Sequence, residues 1–229
     1  MVRERRPPAD RYRRRATPVR LRWMRGMAVC VVGREASSSM MMTVLTIGHS
    51  TRAIAEFMRL LEAHGVERVI DVRRIPRSAH NPQFSRERLA RALRRSGIHY
   101  RHISGLGGRR HARRDSINTG WRNASFRGYA DYMQTESFSR SLDRCISFAR
   151  REQVALMCAE AVPWRCHRSL IADALTARGI AVHEIVSGVR TRAHAVTPWA
   201  LIKGTQVTYP AALANETRRT SPAVARRSR

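Results

Sequence analysis

Lysine is almost missing from this sequence. Lys203 is the only one, so 43 of the 44 basic residues are arginine, against 17 acidic residues. The net charge of +27 is unevenly spread. Residues 1–42 carry 11 arginines against 3 acids, residues 43–187 carry 25 against 13, and residues 188–229 carry 8 basic residues against 1 acid. More than half of the excess therefore lies outside the central stretch, and a skew towards arginine follows GC-rich codon usage as readily as function. The charge still favours polyanions through counterion release, which keeps nucleic acid among the partners. Cysteine is scarce as well. Cys30, Cys145, Cys158 and Cys166 are too few and too irregularly spaced for a secreted disulfide framework. No apolar run approaches the roughly 18–20 residues of a membrane span, so no membrane partner is expected. The stretch Met27 to Val32, behind an Arg-rich segment, imitates a secretory signal but is short and lacks a small-residue cleavage site. A cytoplasmic protein is the expectation.

Sustained periodicity is missing from both ends. Residues 1–42 read as a disordered Arg-rich extension, low in complexity and unable to bury enough apolar surface to offset the entropy of ordering. Met40, Met41 and Met42 stand directly before the first good strand, so translation is expected to start there, with a functional basic arm as the rival reading. Residues 188–229 hold some apolar material around Trp199 and Tyr209, then an Arg/Ser/Pro/Ala tail. They read as a basic, largely irregular, loosely attached C-terminal extension.

Between these limits, residues 43–187 repeat one pattern. Ile54, Phe57, Met58 and Leu61 fall at i, i+3, i+4 and i+7, a helix with one buried face. Gly65 closes it, and a strand follows over 67–72. Leu89, Ala92 and Leu93 make the next stripe, closed by Gly97 before a strand over 98–103. Phe138, Leu142, Cys145 and Ile146 mark a helix over 137–151, and a strand follows over 153–158. Leu170, Ile171, Ala174 and Leu175 mark the last, closed by Gly179 before a strand over 180–186. With a first strand at 44–48, the alternation predicts an α/β fold: a single three-layer Rossmann-like domain with a mainly parallel five-stranded sheet and helices on both faces.

In such a sheet ligands bind beyond the carboxyl ends of the strands. The first strand ends in His49, the second in Asp71 and Arg73 with Arg77 close behind. The fourth ends in Cys158 and Glu160, followed by Trp164, Arg165, Cys166, His167 and Arg168. The start of a helix attracts anions, and arginine forks suit phosphate or carboxylate. A thiol there, as Cys166 is, should ionise more easily. Asp71 serves as a general base, a ribose hydroxyl acceptor, or a partner for Arg73 or Arg77. A loop of about 20 residues from Gly105 is long enough to cover a site. Beyond it Phe126, Arg127 and Tyr129 either stack on a ligand ring or anchor the loop.

Sharper motifs fit less well. A cysteine-phosphatase loop has one residue fewer between Cys and Arg than the six that separate Cys158 from Arg165. Zinc would need a fourth ligand beyond Cys158, Cys166 and His167, from His49 or His102, at a spacing that matches no common pattern, so no metal is expected. Gly105 to Gly108 lacks the spacing of a dinucleotide fingerprint or P-loop, and no cofactor follows from it.

The strings TIGHST (46–51), DVRRIPRS (71–78), NPQF (81–84), GLGGRR (105–110), FRGYADYM (126–133) and LMCAEAVPWRCHRSLIADAL (156–175) resemble the domain-of-unknown-function 488 family over residues 43–186. The resemblance implies a bacterial or archaeal single α/β domain and no settled activity. The residues point to a pocket for a small anionic or nucleotide-like ligand. Cys166, Glu160, Asp71, His49 and Cys158 are the catalytic candidates. Arg73, Arg77, Arg165, His167, Arg168, Trp164 and Arg127 are the binding candidates. The alternatives are a non-catalytic nucleic-acid- or nucleotide-binding module, and a redox or metal-responsive protein built on Cys158 and Cys166. Whether the chain is an enzyme stays open.

Overall fold

Helices α1 (Ile54–Ala63) and α2 (Arg86–Arg95) form where the apolar stripes place them. Phe57, Met58, Leu60 and Leu61 of α1 are buried, as are Leu89 and Leu93 of α2. The glycines that follow, Gly65 and Gly97, adopt φ of 61° and 72°, where a side chain would be strained, and each turns the chain into the next strand. These coordinates are a computed structural model, which describes residues 42–220. The Arg-rich extension expected over residues 1–42, and the translation start expected beside it, lie outside the described residues except for Met42, as does the tail beyond residue 220.

The strands are β1 (Thr43–Gly48), β2 (Arg68–Asp71), β3 (His99–His102), β4 (Val154–Cys158), β5 (Ala181–Ser187) and β6 (Arg190–Ala193). They form one sheet in the order β3-β2-β4-β1-β5-β6, parallel from β3 to β5, with β6 antiparallel to β5. The fold is therefore α/β with a mixed, mostly parallel sheet and surrounding helices. The sheet has six strands where the sequence predicts five. Arg-Thr-Arg-Ala in β6 is wholly exposed, and an edge strand exposed along its length leaves no apolar alternation to read.

Helices α3 (Ala124–Tyr132), α4 (Glu136–Ala149) and α5 (Arg168–Thr176) follow the other connections. Alternate residues of the strands separate two cores. Leu45, Ile47, Val69, Ala155 and Met157 pack with α1 and α2. Val44, Ile70, Val154, Leu156 and Val182 pack with α3, α4 and α5. Each fully buried aliphatic side chain in these clusters contributes about 1.5–3 kcal/mol. Helix α3 lies where the sequence predicts no helix, only residues that either stack on a ligand ring or anchor the loop. Gly128 inside it lowers helix propensity by about 1 kcal/mol, which hides it. Its start is set by Asn123, whose side chain accepts from the amides of Ser125 and Phe126.

Residues 188–220 are ordered and attached, contrary to the expectation of a loose, irregular extension. They carry β6, a hairpin of β7 (Leu201–Lys203) and β8 (Gln206–Thr208), and α6 (Ala211–Thr220). A buried carboxylate explains the attachment. Asp173 of α5 accepts from His194 Nε2 at 2.7 Å, the Thr197 amide at 3.1 Å and the Tyr209 hydroxyl at 2.7 Å. Val207 and Tyr209 are buried in the core beside α5. Such polar tethers have no sequence period.

Candidate functional site

Neighbouring strands β2 and β4 send the chain to opposite faces of the sheet, into α2 and α5. A parallel sheet opens a crevice at such a point, beyond the strand ends. At the end of β2, Asp71 is completely buried. Its carboxylate accepts from Arg73 Nε at 2.9 Å and Nη2 at 2.6 Å, from the Arg73 amide at 3.0 Å and from the Tyr100 hydroxyl at 2.8 Å. Burial works against the Arg73 charge, but this fork more than offsets it and raises the Arg73 pKa.

His49, just past β1, completes the clamp. Its Nδ1–H donates to the Ser50 carbonyl at 2.8 Å, leaving Nε2 to accept from Arg73 Nη1 at 3.4 Å. Burial lowers the His49 pKa to about 4, so the ring is neutral at neutral pH. It stacks on Phe84 of the NPQF segment, with centroids 4.2 Å apart. Asp71 and His49 thus fix the direction of Arg73.

At the end of β4 the chain folds back against β1. A side-chain carbon at Gly48 would run into the Glu160 carbonyl, so only glycine allows this approach. The Cys158 and Cys166 sulfurs lie 2.9 Å apart, and both are free thiols. Arg168 is 1% exposed and donates Nε to Cys158 Sγ at 3.1 Å and Nη2 to the Glu160 carbonyl at 2.7 Å. Its amide points at Cys166 Sγ at 3.5 Å, and the Glu160 amide donates to Cys158 Sγ at 3.3 Å.

Two sulfurs at this separation share a proton. The hydrogen bond from Cys158, aided by the Arg168 charge and amide, outweighs burial and lowers the Cys166 pKa to about 7. Burial, and the proton kept for Cys166, push Cys158 well above the usual thiol range.

His167 adds an acceptor. Its Nε2–H donates to the Val72 carbonyl at 3.0 Å, so Nδ1 carries the lone pair, 3.6 Å from Cys166 Sγ. Burial lowers the His167 pKa and keeps the ring neutral. Tyr129 of α3 holds the ring from 5.1 Å, its own hydroxyl tied to the Leu106 carbonyl at 2.8 Å. Gly108 must be small because a side-chain carbon there would come within 3.0 Å of His167 Nδ1.

A cavity of about 400 Å³ opens over these groups. Cys158, Cys166 and His167 line it, with Glu160 and the aromatic rings of Phe126 and Tyr129. Five guanidinium residues complete the lining: Arg73, Arg74, Arg77, Arg109 and Arg165. Of these, Arg74, Arg77, Arg109 and Arg165 have no carboxylate partner among the described residues. Arg109 holds its position with φ of 58°, a conformation costly for a residue with a side chain and often found at ligand sites.

The family comparison covers this architecture from α1 to α5. The domain of unknown function DUF488 matches residues 53–175, more than half of the chain. The chain belongs to the DUF488 family. No curated protein and no solved structure matches it. The matched stretch of the DUF488 domain includes the end of β2, the Gly108 turn, α3 and the whole β4–α5 loop, and begins just after β1.

Seven of the predicted site residues of the DUF488 domain share the cavity: Cys158, Glu160, Cys166, His167, Arg73, Arg77 and Arg165. Asp71 and His49 stand behind Arg73 and do not line it. Arg168 lies against the sulfurs and contributes to a second cavity, which Trp164 also lines. Arg127 turns away, its Nε donating to the Trp121 carbonyl at 3.1 Å. Sequence reasoning missed Arg74, Arg109 and Gly108. Arg74 and Arg109 sit inside the DVRRIPRS and GLGGRR strings, and only their position at strand ends distinguished them from other arginines. Among the described residues no group of three or more His, Cys, Asp and Glu is arranged to hold a metal ion.

Proposed function

We propose that this DUF488 domain is an enzyme that binds a small phosphate-bearing or nucleotide-like anion, with Cys166 as its nucleophile. One observation carries the reading: five arginines and a thiol pair line one cavity of about 400 Å³. Guanidinium forks bind phosphate or carboxylate oxygens in pairs, and among the described residues four of these five form no salt bridge that would compete with a ligand. Phe126 and Tyr129 offer apolar surface to the rest of the ligand.

In this reading the Cys166 thiol gives its proton to His167 Nδ1. The thiolate sulfur then bonds to an electrophilic centre of the ligand. The leaving group departs with its bonding electrons and recovers the proton from His167. Glu160, on the rim, is the acid/base candidate for release: it takes a proton from a water whose oxygen bonds to the bound group as the bond to sulfur breaks, which returns the Cys166 thiolate. The layering is read as Rossmann-like, and the free thiols fit a reducing compartment such as the cytoplasm.

The test is a panel of inorganic phosphate, nucleotides and sugar phosphates, screened by thermal shift and then for turnover. Arg165→Met should weaken binding, and Cys166→Ser should abolish turnover while keeping both binding and the melting temperature. Turnover that survives Cys166→Ser refutes the nucleophile. Binding to nucleic acid alone, falling steeply with salt and indifferent to Cys166→Ser, would favour the non-catalytic module.

The sulfur separation of 2.9 Å favours a second reading, a thiol pair that a peroxide oxidises to a disulfide, losing two electrons and two protons as the peroxide is reduced. Thiol trapping before and after peroxide treatment decides it: a reversible loss of two free thiols is required.

A further inference from the structure

Cys166 needs no second sulfur to act as a nucleophile. The hydrogen bond it receives from Cys158 is one that any hydroxyl or amide would supply. What a second thiol adds is the capacity to close a disulfide, which gives up two electrons. Cys158 and Cys166 are placed for that, both free, with their sulfurs 2.9 Å apart.

Both residues line the cavity with the five arginines, so an acceptor of those electrons sits among guanidinium groups. Such a lining selects an oxidant that is an anion and offers oxygen atoms to the arginine forks. Arg168 lies on the buried side of the pair, 1% exposed and without a salt bridge among the described residues, its Nε 3.1 Å from Cys158 Sγ. Its charge favours a thiolate at either sulfur as the proton moves between them. Cys166 is the more open of the two, at 5% exposed against 2% for Cys158. A ligand therefore meets Cys166 first, and Cys158 waits behind it.

We infer that the cavity binds and reduces a tetrahedral oxyanion whose central atom takes two electrons from thiols, with arsenate as the probe. This rests on the anion site and the nucleophile proposed above, and adds what becomes of the bound group. The Cys166 thiolate bonds to arsenic, and one arsenate oxygen leaves as water with the proton that His167 received. Cys158 Sγ then bonds to Cys166 Sγ. The sulfur–arsenic bond breaks with its electron pair on arsenic, and the Cys158 proton passes to the departing anion. In sum, dihydrogen arsenate and two thiols give dihydrogen arsenite, water and one disulfide. Phosphate has the same shape and charge, but thiols do not reduce phosphorus, so it binds and blocks. An external dithiol such as dithiothreitol returns the pair to thiols.

The full chain, reduced and then freed of added thiol in the absence of oxygen, is mixed with arsenate. Arsenite is read by ion chromatography, free thiols by titration and the disulfide by peptide mapping. About one arsenite per chain should form as two thiols are lost to a Cys158–Cys166 disulfide. Inorganic phosphate should slow the reaction competitively. Arg165→Met should raise the arsenate concentration needed for half the maximal rate about 10-fold, the worth of one charge-assisted hydrogen bond. Cys158→Ser should form no arsenite. The stoichiometry and the phosphate competition are read on the unaltered chain, so they decide the matter whether or not Cys158→Ser folds. A chain that phosphate stabilises against heat but that makes no arsenite overturns the reduction and leaves the anion site standing. If neither anion raises the melting temperature and no arsenite forms, the anion site falls as well. Arsenite formed by Cys158→Ser, or at a rate indifferent to phosphate, overturns the pairing of thiols with the arginine cavity.

Discussion

The reactive character of Cys166 comes from its neighbours, and this has a measurable sign. The thiolate is the form that alkylates, so the rate of Cys166 modification by iodoacetamide should rise with pH through about 7 and level off above it. Arg168→Met removes a charge that stabilises the thiolate and should move that midpoint upward, as followed by mass spectrometry of the labelled peptide. A midpoint unchanged by the substitution would assign the shift to Cys158 alone. At this scale the sequence was legible where chemistry depends on position in an element. Cys166 stands at the start of a helix beside arginines, and its easier ionisation could be expected from that. Asp71 was legible as a partner for Arg73 or Arg77, one of three roles the sequence left open, whereas the role of His49 was not legible. Both are chemically able to move protons, but four donors occupy Asp71, and His49 is buried as an acceptor. Only the folded structure reveals that kind of saturation.

Elements that bury one face were legible, and those held by polar contacts were not. The stripes of α1, α2, α4 and α5 repeat at helical spacing because each packs on the sheet. Nothing similar marks β6 or the β7–β8 hairpin, which depend on an exposed edge and on the Asp173 tether. Tyr209→Phe tests that tether. It removes a hydrogen bond from a fully buried hydroxyl to a carboxylate and should cost about 1.5–3 kcal/mol in urea unfolding, with little loss of packing volume. A cost below about 0.5 kcal/mol would mean that burial of the ring, not the bond, attaches the segment.

For the whole molecule, residues beyond β5 complete the core. A chain ending at Ser187 would uncover the apolar face that Val207 and Tyr209 cover and leave β5 paired with β1 alone. It should bind ANS strongly and melt several degrees lower, whereas an unchanged melting temperature would make the C-terminal elements dispensable. The convergence of distant strand ends on one cavity could be anticipated from the alternation of strands and helices alone. The second cavity could not, because its walls come from loops and from segments without a period.

The sheet ends in β3 on one side and β6 on the other, and its edges bear on how copies of the chain meet in a crowded solution. Among the described residues β6 has a neighbour only in β5, and β3 only in β2. A bare edge of that kind invites strand-to-strand adhesion and filament growth. Strand β3 reads His-Tyr-Arg-His and β6 reads Arg-Thr-Arg-Ala, so both edges carry arginine. Charged side chains on edge strands are one way in which proteins blunt such pairing, a use for arginine that involves no ligand at all.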